Sequence, residues 1–485
     1  MKRVIIGLFS LGAIVFAGCM VGPNYKRPLA PVAPAFKEVQ GTTATANDGW
    51  GPGRPGDTQL KGDWWKMFHD ARLNDLEAQV DSANQTLKAA AANFRAARAQ
   101  IGYARSYEAP TLNIGSSINA LHQSAHQPFA NANGASSNSG EFTLPLDLNY
   151  EIDLWGQIRR GVTAAREQAE AADADMESVR LSLHAELAMD YFGLRSADAQ
   201  IQLLRNTVKA YQQALQLTED RYEGGIAPES DVSQAQTQLD EAQVQLTDLE
   251  VRRAQYEHAI AVLIGEPPAR FSLPAMPLNI DAPMLPEIPG MVPATLLQRR
   301  PDIAAAERRM AAANEEIGIA EAAYYPTLSL NGSAGFEGTS ALNWLSWPSR
   351  FWAVGPAMAE TIFDAGRRHA TRQMTEAEYD ATVANYRQTA LTAFQQVEDN
   401  LAALRVLANE AQQQRAATAS AQQTLGLFET RYEGGVDTYL QVVTWQTAAL
   451  YNEQNDLNIM QRRLDASVLL IKALGGGWST SRMHS

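Results

Sequence analysis

The sequence repeats itself at long range, and this repeat restricts the possible folds more than any other feature. The residues RYEGG occur at Arg221–Gly225 and again, 210 positions later, at Arg431–Gly435. Two other pairs of similar segments keep the same order, QIGYARSYEAPTLNI with EIGIAEAAYYPTLSL and LWGQIRRG with FDAGRRHA. This period is far longer than that of a solenoid repeat. We therefore expect an internal two-fold sequence repeat, with two similar halves that arose by duplication.

Each half predicts the same order of elements, which ends in a very long helix, the RYEGG turn and a returning helix. The long helices are predicted at residues 157–222 and 367–432, and the returning helices at 229–264 and 438–474. No proline lies between Pro145 and Pro228 or after Pro356, so no proline interrupts these helices. Apolar residues recur at heptad spacing, in the first copy at Leu187, Leu194, Ile201, Val208, Leu215 and Tyr222. A helix of about 66 residues is about 100 Å long, which no compact domain requires.

Before each long helix, a shorter helical segment (71–108 and 302–324) leads into two segments that predict strands. The strand segments alternate apolar and polar residues. This alternation is typical of membrane-barrel strands, but also of half-buried strands in a soluble sheet. A cluster of tryptophans near the second pair favours the membrane: Trp344, Trp347 and Trp352. Residues 350–362 are apolar on both faces, and Pro145 and Pro356 are expected to mark bulges.

The number of strands has a consequence for assembly. Four strands cannot close a barrel around a lumen, and lipid does not tolerate open sheet edges. Two chains would supply eight strands and a filled interior, whereas three would supply twelve strands and room for a channel. A trimer is therefore expected if the protein transports anything.

The first twenty residues have the features of a secretory signal. A basic start precedes an apolar run that is too short to span a membrane, so residues 1–18 predict a signal peptide. FAGC resembles the lipobox of bacterial lipoproteins, and Cys19 is the only cysteine of the chain. We expect lipid on Cys19, of the diacylglycerol and N-palmitoyl type, and Met20 after it suggests sorting to the outer membrane. Residues 19–60 then form an extended N-terminal arm.

The remaining composition divides the chain and excludes several functions. Residues 61–265 and 301–474 are the two repeats, 266–300 form a proline-rich connector and 475–485 form a tail. The chain has 54 acidic and 40 basic residues, which gives no support to a nucleic-acid partner. Its seven histidines are scattered, with no His-Glu-x-x-His sequence or other ligand set. We predict no metal, no catalytic residues and no enzymatic activity.

Several motifs carry a resemblance to a known family: GDWWKMFHDARLNDL, LLQRRPDIAAAERRM, CMVGPNYKRP and the paired RYEGG turns. They resemble the TolC-type outer-membrane efflux proteins, and more closely the lipoprotein (NodT or OprM type) branch that serves resistance-nodulation-division pumps. The resemblance implies an α+β membrane protein that assembles as a homotrimer. It has a 12-stranded β-barrel in the lipid of the Gram-negative outer membrane and a long α-helical coiled-coil barrel in the periplasm. A periplasmic adaptor and a proton-driven inner-membrane pump would be its partners, and no cofactor other than the lipid is implied.

The same resemblance assigns roles to the turns. The RYEGG turns would be the periplasmic tips that the adaptor grips, through Arg221, Gly224, Gly225, Arg431, Gly434 and Gly435. Residues that match the family's gate, or lie beside it, are Tyr222, Asp231, Tyr432 and Asp437. Asp437 stands where TolC has an arginine, so a TolC-like lock is not expected at that place. Local rules add that consecutive glycines end each long helix, that Pro228 suits the first turn of the returning helix, and that Asp437 suits an N-cap.

Four functions remain open at this point. The first is a passive exit duct for small molecules such as drugs or other toxic compounds. The same architecture also serves protein secretion and metal-ion efflux. A structural coiled-coil spacer of the envelope is the alternative from another class, and it would need no amphipathic strands.

Overall fold

The computed structural model describes residues 20–30, 32–38, 50–51, 62–124, 137–279, 285–286, 288–289 and 298–478. The predicted signal peptide, Cys19 and residues 479–485 lie outside the described residues. The chain divides into two compact units, each of which takes segments from both sequence halves. The first comprises Met1–Leu29, Phe94–Ala172 and Ala306–Tyr386, and the second comprises Ala30–Asn93, Asp173–Ala305 and Arg387–Ser485.

The helices and strands follow the predicted order in both halves. In chain order they are β1 (Trp50–Gly51), α1 (Ala71–Ala83), α2 (Gln85–Ser106), β2 (Thr111–Ile114), β3 (Ser117–Gln123), β4 (Ser137–Ile152), α3 (Gln157–Glu223), α4 (Glu229–Leu263), β5 (Ile288–Pro289), α5 (Pro301–Ala322), β6 (Thr327–Gly338), β7 (Arg350–Ala359), α6 (Arg367–Glu433) and α7 (Tyr439–Ala473). Both long helices, α3 and α6, have 67 residues. The predicted long helices are therefore confirmed to within one residue at each end.

The strands of the first unit form one antiparallel sheet. β2 and β3 both pair with β4, β4 pairs with β6, and β6 pairs with β7. Residues directly opposite each other lie on the same face of an antiparallel pair. The register aligns Leu146 with both Ile114 and Ala334, and Ala334 in turn with Trp352. One face of the sheet is therefore apolar across all the strands.

The opposite face of the sheet is polar. Asp147 is aligned with Asn113 and Ser333, and Thr143 with Ser117 and Glu337. On β7, the predicted apolar character of both faces separates into a face of large residues, which includes Trp352 and Met358, and a face of mostly small residues. The predicted alternation of apolar and polar residues is therefore present in the other strands, and β7 is apolar on both faces as predicted.

The predicted bulges are wrong at both prolines. The hydrogen-bonded ladder on β4 is interrupted opposite Pro145, in the gap between β2 and β3. β2 and β3 nevertheless pair with β4 in the same register, so neither strand contains an extra residue. Pro145 lacks an N–H, and its carbonyl instead accepts from the Gly115 N–H at 3.1 Å. Pro356 pairs with Leu330 in an unbroken register. It lies on the outermost strand, where a proline is tolerated.

The first three heptad positions of α3 named above are buried in the second unit, Val208 and Leu215 are partly buried, and Tyr222 at the end of the helix is exposed. Leu187, Leu194 and Ile201 are buried. Leu204 and Ile201 pack with Leu249 of α4 in one apolar cluster. The long helices therefore use the predicted seam to bind their returning partners.

The helical segment predicted at 71–108 is two helices, because Asn84 ends one and caps the next. Its side-chain oxygen accepts from the Leu87 N–H at 2.9 Å, and its amide donates to the Leu263 carbonyl at 2.8 Å. Asn84 therefore also binds the end of α4 at the point where α1 ends and α2 begins. None of the described helices contains a stretch that is long and apolar enough to cross a membrane.

Candidate functional site: the turns at the ends of the long helices

Each RYEGG segment ends its long helix with the same hydrogen-bonded turn. In the first turn, the Gly225 N–H donates to Tyr222 O at 2.9 Å and the Ile226 N–H donates to Arg221 O at 2.8 Å. The second turn repeats both bonds at 2.9 Å. Gly225 and Gly435 have φ values of 69° and 71°, in the left-handed region that favours glycine. The predicted role of the consecutive glycines as helix ends is confirmed.

The apex of each turn is exposed. All four glycines are exposed, and so are the apolar residues that follow them, with Ile226 76% and Val436 70% accessible. Large apolar side chains at equivalent exposed positions of both repeats are suited to contact with another molecule.

The start of the returning helices differs from the prediction. α4 begins one residue after Pro228, which lies at the N-cap. α7 begins after Thr438, whose side chain makes no capping hydrogen bond. Asp437 is therefore not the N-cap, and this prediction was wrong. Its carboxylate instead pairs with the guanidinium of Arg431 in the same turn.

The arginine of the first turn behaves differently from that of the second. Arg221 Nη1 donates to Tyr432 O and Nη2 donates to Glu433 O, both at 2.8 Å. Its guanidinium carbon lies 4.3 Å from the centre of the Tyr432 ring. Arg221 therefore links the end of α3 to the end of α6.

The two tyrosines predicted beside the gate have different surroundings. Tyr432 is buried and packs with Tyr439, Val442 and Ala235 of the first hairpin, whereas Tyr222 is 46% exposed. The Tyr432 and Tyr439 rings lie 5.3 Å apart. Burial raises the pKa of Tyr439 to about 12, and the neighbouring Tyr432 and Asp231 add to the increase. Tyr439 therefore stays protonated at neutral pH, and Asp231 is close enough to act on it.

Sequence reasoning missed some residues that hold the turns. Nothing in the sequence around Tyr439 indicates that its ring packs against the Tyr432 ring. Phe428 and Trp445 stack with ring centres 6.2 Å apart and planes 10° from parallel. One difference between the two turns is visible in the sequence: Ala227 stands where the second turn has Asp437, the residue that pairs with Arg431.

A second group of functional interest surrounds the residues that follow Cys19. The Val21 N–H donates to Trp155 O at 3.1 Å, and Val21 O accepts from Arg160 Nε at 2.7 Å. Arg160 is fully buried and pairs with Glu315 at 2.7 Å. The beginning of the described chain is therefore held where β4 ends and α3 begins.

Among the residues that the structure describes, no group of three or more histidine, cysteine, aspartate or glutamate side chains could hold a metal ion. The turns contain hydrogen-bond donors, aromatic rings and exposed apolar side chains. This arrangement can bind and position a protein surface.

Comparison with known proteins agrees with this architecture. The sequence profile of the family described as "Outer membrane efflux protein" matches residues 78–266 and 292–476. The outer membrane protein OprJ of Pseudomonas aeruginosa is 32% identical over 471 residues, which cover 97% of this chain and 95% of that protein. The toluene efflux pump outer membrane protein TtgF of Pseudomonas putida is 32% identical over 469 residues, covering 96% and 95%.

Solved structures give the same result. The outer-membrane channel OprN is 29% identical, with a TM-score of 0.85 and coverage of 95% of this chain and 100% of that one. The outer membrane channel CmeC of Campylobacter jejuni shares the fold, with a TM-score of 0.84 at 23% identity and 96% coverage of both chains. The profile matches both repeats and the relatives span nearly the whole chain, so this chain belongs to the outer membrane efflux protein family.

Proposed function

We propose that this chain is the outer-membrane exit duct of a tripartite efflux system, through which small organic molecules leave the cell chemically unchanged. The observation that carries the proposal is a sheet with one apolar and one polar face, in a chain whose helices reach 67 residues. A structural spacer needs the long helices but not the sheet. An enzyme needs neither, so we propose that the chain has no catalytic activity.

The ends of the strands support a position in a bilayer. Aromatic residues lie at the helical ends of the strands: Tyr107, Trp155, Tyr325 and Phe363. Trp155 stacks on Tyr325 with ring centres 4.7 Å apart. Near the other ends, Trp344 packs against Phe142 and Trp347 is 74% exposed. Aromatic girdles at both interfaces are typical of barrels in the outer membrane.

The edges of the sheet support a homotrimer. Within the described part of the chain, neither the β2–β3 edge nor β7 pairs with a further strand. Unpaired edges in lipid carry a large penalty, which pairing with neighbouring copies removes. β2 and β3 pair with β4 in one continuous register and so occupy a single strand position, which gives four positions in each chain. Three copies would therefore close a 12-stranded barrel with room for a channel.

The contacts of the N-terminal arm support lipid on Cys19. Met20 lies against Gly156, beside the end of β4, where a Cβ on Gly156 would be only 2.6 Å from the Met20 side chain. Cys19 is therefore attached to a residue held at the end of a membrane strand. Acyl chains there could enter the same bilayer as the sheet, so the lipid would be an anchor.

The exposed turns are proposed as the contact with a periplasmic adaptor, which joins the duct to a proton-driven pump of the inner membrane. Tyr222, Asp231, Tyr432 and Asp437 remain proposals for the gate. We propose drugs and solvents as cargo, because relatives are named as a toluene efflux protein (TtgF) and an antibiotic efflux protein (ArpC), both of Pseudomonas putida.

Site-specific photo-crosslinking in the native cells tests the proposal. A photoreactive residue would replace Ile226 or Val436, which are exposed beside the glycines and do not need a left-handed backbone. Val244, 69% exposed in the middle of α4, is the matched control position. We expect an adaptor of a proton-driven pump at the two turns and not at Val244, and we expect deletion of the gene to raise the intracellular concentration of a lipophilic dye.

Other outcomes would contradict the proposal in distinct ways. Capture of a secretion adaptor, with loss of an extracellular protein on deletion, would make the cargo a protein. Metal sensitivity without dye accumulation would make it an ion. If deletion changed neither dye accumulation, nor the extracellular protein, nor metal sensitivity, and no adaptor were captured at either turn, the spacer would be favoured.

A further inference from the structure

The apolar face of the sheet carries one charged side chain. Successive residues of a strand point to opposite faces, so the register assigns every residue of the sheet to a face. Among the described strands, the only Asp, Glu, Lys or Arg side chain on the apolar face is that of Arg350, the first residue of β7, which is aligned with Phe336. The carboxylates of the same sheet lie on the polar face: Glu141, Asp147, Glu151 and Glu337.

Arg350 has an aromatic partner but no ionic one. Its guanidinium carbon lies 4.0 Å from the centre of the Trp347 ring, and both side chains are exposed. No acidic side chain in the described parts of the chain pairs with Arg350. A ring beneath a cation attracts it but does not neutralise its charge. The ring therefore holds the guanidinium in place and leaves its charge available to an anion.

The position of Arg350 along β7 corresponds to the border of an apolar band. From Met358, beside the helical end of the sheet, to Arg350 the strand rises about 27 Å. At a tilt of about 40° this rise is about 20 Å along the membrane normal, close to the apolar height of about 25 Å in outer-membrane barrels. A charge on the lipid-facing side is costly at the middle of the bilayer and tolerated near its interfaces. Arg350 would therefore lie at the headgroups of the leaflet farther from the helices.

The loop between β6 and β7 turns onto the same face. Gly338 is aligned with Phe142 of the apolar face, and a Cβ on Gly338 would be 3.0 Å from the Trp344 side chain. Trp344 also packs against Phe142, with ring centres 5.9 Å apart. Trp344 therefore covers the end of the apolar face, and the exposed Leu345 and Trp347 follow it in the chain.

Below Arg350 the apolar face continues without another charge. Trp352 and Val354 follow on the same face of β7, and both are exposed. Closing the sheet into a barrel uses the backbone groups at the strand edges, so it leaves this face uncovered. An open guanidinium above an apolar wall matches a molecule with an anionic headgroup and acyl chains. Among anions, phosphate suits the fixed donors of a guanidinium especially well.

We propose that Arg350 and Trp347 bind a phosphate of lipopolysaccharide, the phosphorylated and multiply acylated glycolipid of the outer leaflet, and that its acyl chains pack along Trp352 and Val354. The choice of this lipid rests on the proposed function, which places the helices in the periplasm and this end of the sheet at the cell surface. Each chain supplies its own site on the outside of the barrel, so the bound lipid stays clear of the interior through which cargo would pass.

Lipid binding by the full-length trimer tests the site. Delipidated trimers in detergent would be titrated with lipid A, the phosphorylated and acylated part of lipopolysaccharide, and native mass spectrometry would count the bound lipids. We expect one tight site for each chain in the wild type and about tenfold weaker binding in Arg350→Ala, because a charge-assisted pair with phosphate is lost. Trp347→Ala should weaken binding by a smaller factor.

A second lipid tests the same contact without any variant. Lipid A from which the phosphates have been removed should bind the wild type as weakly as intact lipid A binds Arg350→Ala. The result therefore does not depend on how well a variant folds. The matched control is Arg98→Ala, which removes an exposed arginine that also lies over a ring, that of Phe94 at 5.7 Å, but on α2. It should bind lipid A as the wild type does.

Three results would overturn the site. The first is equal binding of lipid A by the wild type and Arg350→Ala, and the second is equal binding of the phosphorylated and dephosphorylated lipids. The third is an equal affinity of the wild type for phosphatidylglycerol, which would mean that any anionic lipid suffices and that the outer-leaflet glycolipid is the wrong choice.

Failure of this site is distinguishable from failure of the proposed function. A wild type that exports dye and captures an adaptor, but binds lipid A no more tightly than its dephosphorylated form, would overturn the lipid site and leave the exit duct standing. A wild type that neither exports dye nor captures an adaptor would overturn the duct, and with it the choice of lipid.

Discussion

Single residues decide local geometry in this protein where a side chain binds the backbone of a distant segment, or where a glycine lets two backbones come close. The doubled glycines could be predicted from the sequence, since a left-handed helix end has a local signature. The contact of Arg221 with residues 432 and 433 could not, because nothing local indicates which helix end lies nearby. The N-cap prediction for Asp437 failed for the same reason, since it considered the helix but not Arg431 across the turn.

Gly335 gives a prediction at this scale. It lies opposite Pro145, and a Cβ at this position would be 2.1 Å from the Leu144 carbonyl oxygen. Because that atom belongs to the backbone, we expect Gly335→Ala to separate β4 from β6 at a cost of about 1–3 kcal/mol. Gly355→Ala in β7 meets nothing within 4 Å and is the matched control. The measurement is the amount of trimer in the outer membrane, and equal amounts for both variants would refute the close approach.

At the scale of elements, the helices could be predicted well and the breaks less well. The absence of proline and the heptad spacing located α3 and α6 within one residue. The break at Asn84 was not predicted, because one of its two hydrogen bonds is made to residue 263, which is far away in the sequence. The bulges were also wrong, because whether a proline shifts the register depends on the partner strand, which the single segment does not reveal.

A buried histidine joins α1 to α3 in the second unit. His184 is stacked on Trp65 with ring centres 4.3 Å apart, and its Nδ1 lies 2.6 Å from Glu77 Oε2. Burial raises the pKa of Glu77 to about 7. Burial alone would lower the pKa of His184, but the hydrogen bonds and charges of Asp81 and Glu77 raise it to about 9. His184 is therefore charged at neutral pH, and its hydrogen bond to Glu77 connects the two helices.

Replacing His184 should show this connection. His184→Gln leaves Glu77 buried without its charged partner, so we expect a loss of about 3 kcal/mol and a lower melting temperature. His122→Gln, on the exposed part of β3, is the control and should melt as the wild type does. Because the pKa of His184 is raised from 6.5 to about 9 by folding, its contribution is full below pH 6.5 and is lost as pH rises through 9. The wild type should lose stability over that range, and His184→Gln should lose less; parallel curves would contradict the assignment.

At the scale of the whole molecule, the sequence repeat and the compact units divide the chain in different ways. The repeat separates the chain into an earlier and a later half, whereas each compact unit combines segments of both. The expectation of more than one copy follows from the strand count alone, if the strands span a membrane. The register that makes the sheet apolar on one face depends on contacts between the halves, such as β4 with β6, and required the structure.

The central claim is that three copies close one barrel through their sheet edges, and pairs of engineered cysteines test it most directly. Asn119→Cys on β3 would be combined in turn with Ala353→Cys, Gly355→Cys or Ala357→Cys on β7, all on the polar face. Oxidation in intact outer membranes should yield a covalent trimer for at least one pair and only monomers for the single variants. A covalent species that stops at the dimer, or no crosslink for any pair in folded protein, would contradict the account.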